Sequence, residues 1–240
     1  MKFIVCNDYN EMSKEGAKIV IDQLKAKDDS ILGLATGSTP VGLYKELINS
    51  YKNGEISFKK VKSFNLDEYY PIDKSNDQSY DYFMKDNLFS HIDIDISNTD
   101  IPNGEAEDAD KECDDYEKRI AASAGVDIQI LGIGQNGHIG FNEPDDKLNV
   151  KTHKTALTQN TIEANSRFFD SIDEVPTAAL TMGMGTILKA KKIILLASGA
   201  NKKEAIAALK DDYITPKVPA TLLKLHDDVT IICDKEAYGK

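Results

Sequence analysis

Short apolar runs at residues 2 to 6, 31 to 35, 61 to 66, 127 to 132, 192 to 197 and 229 to 233 place hydrophobic side chains at successive rather than alternate positions. That is the pattern of strands buried on both faces. Between most of them, residues 11 to 27, 40 to 51, 78 to 88, 108 to 122 and 202 to 209 repeat apolar positions at helical spacing. The alternation predicts an α/β fold, a mostly parallel sheet with helices on both faces. Two stretches break the rhythm. Residues 67 to 106 are rich in Asp, Asn, Ser and Pro around one helix, and residues 145 to 180 are polar. Both are expected to pass over the ligand-binding edge of the sheet, the second as a candidate lid. Neither a repeat nor a linker divides the 240 residues, so one domain is expected.

Composition narrows the partners. With 41% hydrophobic and 29% charged residues the chain can form a substantial core. A formal charge of -11 opposes broad attraction to phosphate backbones or anionic lipid, so neither nucleic acid nor a membrane is expected as a partner. An anionic small molecule would need cations gathered locally. No apolar run is long enough to span a bilayer, and the opening Met-Lys-Phe-Ile-Val-Cys reads as a strand rather than a signal peptide. Cys6, Cys113 and Cys233 are far apart and show no C-x-x-C spacing, which suits the reducing cytoplasm. His91, His138, His153 and His226 have no metal-ligand spacing, and no metal is expected.

The richest segment is Leu131-Gly-Ile-Gly-Gln-Asn-Gly-His-Ile-Gly-Phe-Asn-Glu-Pro144. It follows the apolar run ending at Leu131, so it lies at the carboxyl end of a strand, where open α/β sheets bind ligands. Residues 132 to 137 match G-x-G-x-x-G literally, but His138 and Asn142-Glu-Pro144 interrupt the helix that a dinucleotide site requires. The segment instead delivers an imidazole, His138, and a carboxylate, Glu143, in one irregular loop suited to proton transfer.

Three other places carry candidate chemistry. Leu34-Ala-Thr-Gly-Ser-Thr-Pro40 runs from a strand into a helix, with Thr39 expected as N-cap and Pro40 as first helical residue. Gly37, Ser38 and Thr39 would present backbone N–H groups and hydroxyls to a phosphate, although the Gly-Lys-[Ser/Thr] ending of a nucleotide triphosphate loop is missing. Asp67 and Glu68 emerge from a strand beside Phe64 and Leu66. Burial could raise a carboxyl there enough to make it a base, or either acid could cap a turn. Arg167, and Lys202 at a helix start where the dipole favours an acid, are the candidate anion-binding cations.

Together these segments resemble the glucosamine-6-phosphate deaminase family. The motifs are the Thr-Gly-Ser-Thr-Pro loop, Phe64-Asn-Leu-Asp-Glu-Tyr69, Ser79-Tyr-Asp-Tyr-Phe-Met84, Gly-His-Ile-Gly-Phe-Asn-Glu-Pro, Asn165-Ser-Arg-Phe-Phe-Asp170 and Leu180-Thr-Met-Gly-Met-Gly-Thr186. The resemblance implies a Rossmann-like sheet and a cofactor-free enzyme of the hydrolase class that turns glucosamine 6-phosphate into fructose 6-phosphate and ammonia, as a possible homo-oligomer. It assigns ring opening to His138 oriented by Glu143, with Asn136 where some members have aspartate. Asp67 becomes the base at C2, and Gly37 to Thr39, Arg167 and Lys202 hold the phosphate.

Two competitors share the fold class: a 6-phosphogluconolactonase-like hydrolase, in which the Leu-Asp-Glu-Tyr and Phe-Asn-Glu-Pro pairing is not expected, and a non-catalytic sugar-phosphate sensor. Regulated members of the family carry basic effector-binding residues in the segment corresponding to Lys151-Thr-His-Lys-Thr155, where this chain has His153 and Thr155. They also have a longer C-terminal tail than one ending at Lys240, so activation by N-acetylglucosamine 6-phosphate is not expected.

Overall fold

The computed structural model describes residues 1–157, 171 and 175–240. In chain order these form β1 (Lys2–Cys6), α1 (Tyr9–Ala26), β2 (Ile31–Leu34), α2 (Val41–Lys52), β3 (Lys62–Asn65), β4 (Asp67–Tyr70), α3 (Tyr80–Asn87), β5 (Thr99–Asp100), α4 (Ala109–Ala122) and β6 (Ile128–Leu131). There follow β7 (His153–Ala156), β8 (Ala178–Thr181), α5 (Met184–Ile187), β9 (Ile193–Ala197), α6 (Lys203–Lys210), β10 (Val229–Asp234) and α7 (Lys235–Tyr238).

Seven strands make a parallel sheet in the order β1-β10-β9-β6-β2-β3-β5. Their successive apolar residues part to opposite faces as a strand's two-residue period requires. Ile31, Leu131, Ile193, Leu195, Val229 and Ile231 join the core under α4 and α6. Leu32, Leu34, Ile128, Ile130, Ile194 and Leu196 join the core under α1 and α2. Each such aliphatic side chain contributes roughly 1.5–3 kcal/mol when fully buried, so the uninterrupted apolar runs reflect two cores sharing one sheet.

The strand order reverses between β2 and β6, which lie side by side with Leu32 opposite Ile128. From β2 the chain proceeds to β3 on one side; from β6 it proceeds to β9 and β10 on the other. The crevice outside the carboxyl ends at such a reversal is where open α/β sheets bind ligands. The glycine loops after β2 and β6 open from that point.

Three features depart from the pattern read in the sequence. The run at 61 to 66 ends as a strand at Asn65, and the chain then enters β4, part of a second sheet of order β4-β8-β7 that is antiparallel. Leu66 joins the two sheets, its N–H donating to Leu34 O (3.0 Å) and its carbonyl accepting from Met182 N (2.8 Å). Both polar excursions thus supply strands where the sequence had suggested only loops and one helix, because Asp-Glu-Tyr-Tyr and His-Lys-Thr-Ala have no apolar run to betray them. Residues 158–170 and 172–174, Arg167 among them and most of the candidate lid, lie outside the described residues. Finally, Thr39 is not the cap of α2. Pro40 holds that position without a side-chain hydrogen bond and Val41 is the first helical residue, because a tyrosine hydroxyl from another helix takes the place of the capping oxygen.

Candidate active site

Asp67 opens β4 and is 5% exposed, so its carboxylate sits in protein rather than water. Among the described residues nothing donates a hydrogen bond to it. Burial, reinforced by the neighbouring Glu68 carboxylate, pushes Asp67 up from the ordinary 3.8 to about 8. Glu68 is occupied differently. Its carboxylate accepts the backbone N–H groups of Tyr80 (2.8 Å) and Asp81 (2.9 Å) at the start of α3, and that of Tyr69 (2.9 Å). Burial still raises it to about 7 against those three donors. Glu68 is therefore a helix cap, as the commoner reading of a strand-end acid suggested, while Asp67 remains uncommitted.

The loop after β6 folds back on itself. Gly134 N donates to His138 O (3.0 Å), Gly137 takes a positive φ of 83°, and His138 N donates to Asn136 Oδ1 (3.1 Å). The imidazole lies over Gly134, where a Cβ would stand 2.5 Å from its Nδ1. Glu143 Oε1 is 3.0 Å from that Nδ1. The distance is within hydrogen-bond reach, but the buried Nδ1 is not aligned for a hydrogen bond, so the pair is a close contact. Burial works to raise Glu143, and contacts with His138 and Asn136 overcome it and hold the carboxyl below its ordinary value. With Nδ1 facing Glu143, Nε2 is left for a ligand.

Asn136 does not reach the imidazole through this geometry. Its amide donates to Glu143 Oε2 (2.7 Å), so it fixes the carboxylate that faces the histidine.

The same loop meets Asp67. Gly140 has φ +56°, and a Cβ there would lie 3.2 Å from Asp67 Oδ2 and 2.9 Å from Thr181 Oγ1. Thr181 is opposite Asp67 in the β4–β8 register and accepts from Phe141 N (3.2 Å). Asn142 Nδ2 donates to Ile139 O and Met182 O, both at 2.8 Å. Phe141 stacks on Tyr80 with centroids 6.3 Å apart and planes 4° from parallel. Thr181 lies in the Leu180-Thr-Met-Gly-Met-Gly-Thr186 motif, but its place beside Asp67 depends on pairing with a strand more than a hundred residues away in the chain.

Outside β2, the backbone N–H groups of Gly37, Ser38 and Thr39 have no partner among the described residues, and α2 begins directly after them. Successive free donors at a helix N-terminus suit an anion. The turn after β9 reaches the same carboxyl edge of the sheet with Lys202, whose ammonium is in no ion pair among the described residues. Burial lowers its pKa. Asp234 fixes that turn by accepting from Ser198 Oγ (2.5 Å) and Gly199 N (2.9 Å). The described residues contain no group of three His, Cys, Asp or Glu side chains arranged to hold a metal ion, and no helix long and apolar enough to cross a membrane.

Residues 8–232 match the family described as glucosamine-6-phosphate isomerases/6-phosphogluconolactonase. Glucosamine-6-phosphate deaminases of Clostridium novyi and Halothermothrix orenii are 57% and 56% identical to this chain, over 100% of both proteins for the first and over 99% of this chain and 98% of the relative for the second. A solved monomeric glucosamine-6-phosphate deaminase superposes with a TM-score of 0.96 at 46% identity, covering 100% of this chain and 99% of that one. The 6-phosphogluconolactonase of Trypanosoma cruzi shares the fold at a TM-score of 0.79, with 22% identity over 100% of this chain and 96% of that one. A chain matched over nearly its whole length in this way belongs to the family of glucosamine-6-phosphate isomerases and 6-phosphogluconolactonases.

Proposed function

We propose that this protein converts glucosamine 6-phosphate and water to fructose 6-phosphate and ammonia. The observation that supports the reading is the meeting, at one glycine loop, of two separate groups suited to proton transfer: the His138–Glu143 pair and the buried Asp67, which accepts no hydrogen bond among the described residues. Ring opening and aldose–ketose isomerisation need two such groups; lactone hydrolysis requires no removal of the C2 proton and would leave a base at C2 without a task. The high identity with deaminases over the full chain supports the same choice.

In this reading the phosphate docks on the N–H groups of Gly37, Ser38 and Thr39, with Lys202 and Arg167 supplying the charge. Nε2 of His138 passes the anomeric hydroxyl proton to the ring oxygen, and Glu143, held by Asn136, stabilises the imidazolium that forms in transit. Ionised Asp67 then takes the C2 proton of the open aldehyde, giving an enolamine. A proton returned to C1 leaves an imine at C2. Water adds there, the C–N bond breaks, and ammonia departs from the new ketone. C2 is oxidised by two electrons as C1 is reduced by two, so the balance calls for no external oxidant or reductant. The cytoplasm is the proposed compartment, since Cys6, Cys113 and Cys233 are buried free thiols.

A coupled assay tests the reading. Ammonia and fructose 6-phosphate should appear in equal amounts from glucosamine 6-phosphate. Hydrolysis of the phosphogluconolactone with no release of ammonia from the amino sugar would overturn it.

A further inference from the structure

The start of α2 lacks its own capping side chain, yet Gly42 N, two residues inside the helix, is not left unpaired. It donates to the hydroxyl of Tyr9 (2.8 Å), and that hydroxyl donates to Ser38 O (3.0 Å). Tyr9 is the first residue of α1, 29 positions from Ser38. The contact is possible because α1 and α2 approach at Gly42, where a Cβ would stand 2.9 Å from Tyr9 Cε1 and 2.2 Å from Ser13 Oγ.

A capping Ser or Thr at the helix entry would fold its oxygen back onto the first-turn N–H groups, the same donors an anion needs. Tyr9 avoids that competition. It satisfies one donor deeper in the helix and holds the loop through the Ser38 carbonyl, an acceptor that an anion does not use, so the N–H groups of Gly37, Ser38 and Thr39 remain without a partner among the described residues. We infer that Tyr9 is a positioning residue for the phosphate loop: its phenol cross-brace between Ser38 O and Gly42 N presets the loop's N–H groups for a phosphate monoester without touching the ligand. The inference rests on the assignment of that loop to the substrate phosphate.

Tyr9→Phe keeps the ring and deletes the brace. Loss of hydrogen bonds of this kind predicts a rise on the order of fivefold in KM for glucosamine 6-phosphate, with kcat moving less than twofold. The constant for competitive inhibition by inorganic phosphate should rise in step with KM. Lys202→Gln serves as the control for the loop's assignment and should raise both constants as well. If Lys202→Gln and Tyr9→Phe both leave phosphate inhibition at the wild-type value, the phosphate site itself is elsewhere. If Lys202→Gln weakens inhibition and Tyr9→Phe does not, while its melting temperature falls, Tyr9 is a purely structural helix contact and the inference is overturned.

Discussion

Asp67 Oδ2 lies 3.2 Å from the point where Gly140 would carry a Cβ, so the strand that bears the proposed base and the loop that bears His138 and Glu143 meet across a missing side chain. Gly140→Ala would press a methyl group onto the Asp67 carboxylate and Thr181 Oγ1 at a φ of +56°, a region that side chains disfavour. We predict a loss of kcat/KM of at least about tenfold, since small displacements of a reacting group are costly, together with a lowered melting temperature. Steady-state kinetics and thermal denaturation check both.

The raised pKa of Asp67 has two signs to test. As a base it must be ionised, so kcat/KM should climb as pH rises through about 8 in the free enzyme. For stability the direction is opposite. A carboxyl raised from 3.8 to about 8 favours the native state below its unfolded value, and that contribution is lost as pH rises through the folded value. Asp67→Asn should therefore melt about 3 °C or more above wild type at pH 9, with the gap closing towards pH 4. A variant that melts below wild type at pH 9 would show that the ionised carboxylate is stabilised by its surroundings.

Asn136 donates to Glu143 Oε2 at 2.7 Å, so Asn136→Asp replaces a donor with an acceptor against a carboxylate. Losing a hydrogen bond to a charged group costs about 1.5–3 kcal/mol, a drop of roughly 10- to 100-fold in kcat/KM. Protonating the new pair restores a donor, so the ratio of variant to wild-type activity should increase as pH falls. A ratio that does not change with pH would mean that Asn136 acts only through the His138 backbone.

The segment that corresponds to the effector-binding segment of regulated family members now has a location. His153 and Thr155 lie on β7, His153 bonded through Nδ1 to Lys151 O (3.0 Å), and Lys154 rests its ammonium 4.7 Å from the Tyr70 ring centroid. Among the described residues, Lys151 alone of the basic side chains there makes no such contact. The substrate curve should be hyperbolic and unmoved by N-acetylglucosamine 6-phosphate; initial-rate curves with and without that sugar would reveal any sigmoidal component.

The parallel sheet was legible because its strands are buried on both faces, and the runs ending at Leu34, Leu131 and Ala197 read directly as strands. The second sheet was not, because β4 and β7 are held by long-range pairing with β8 and carry polar sequences. At the site, the His138 loop declared itself by its glycines, and Asp67 by its place after an apolar run. What separates Asp67 from Glu68 became visible only with α3 in place, whose first N–H groups claim the glutamate. Tyr9 left no trace in the sequence at all, since its partners are 29 and 33 residues away. That Pro40 rather than Thr39 holds the N-cap position has the same cause, a contact reaching α2 from another helix.

The central claim is that Asp67 removes the C2 proton while the His138–Glu143 pair serves ring opening. The direct test is deuterium exchange at C2 in D2O, followed by NMR on glucosamine 6-phosphate with wild type, Asp67→Asn and His138→Gln. Wild type should wash deuterium into C2. His138→Gln should exchange more slowly on the ring-closed sugar yet regain much of its rate as the open-chain fraction is increased. Asp67→Asn should show no exchange above the uncatalysed background under either condition. Exchange by Asp67→Asn at the wild-type rate would contradict the account and give the role of base to another group.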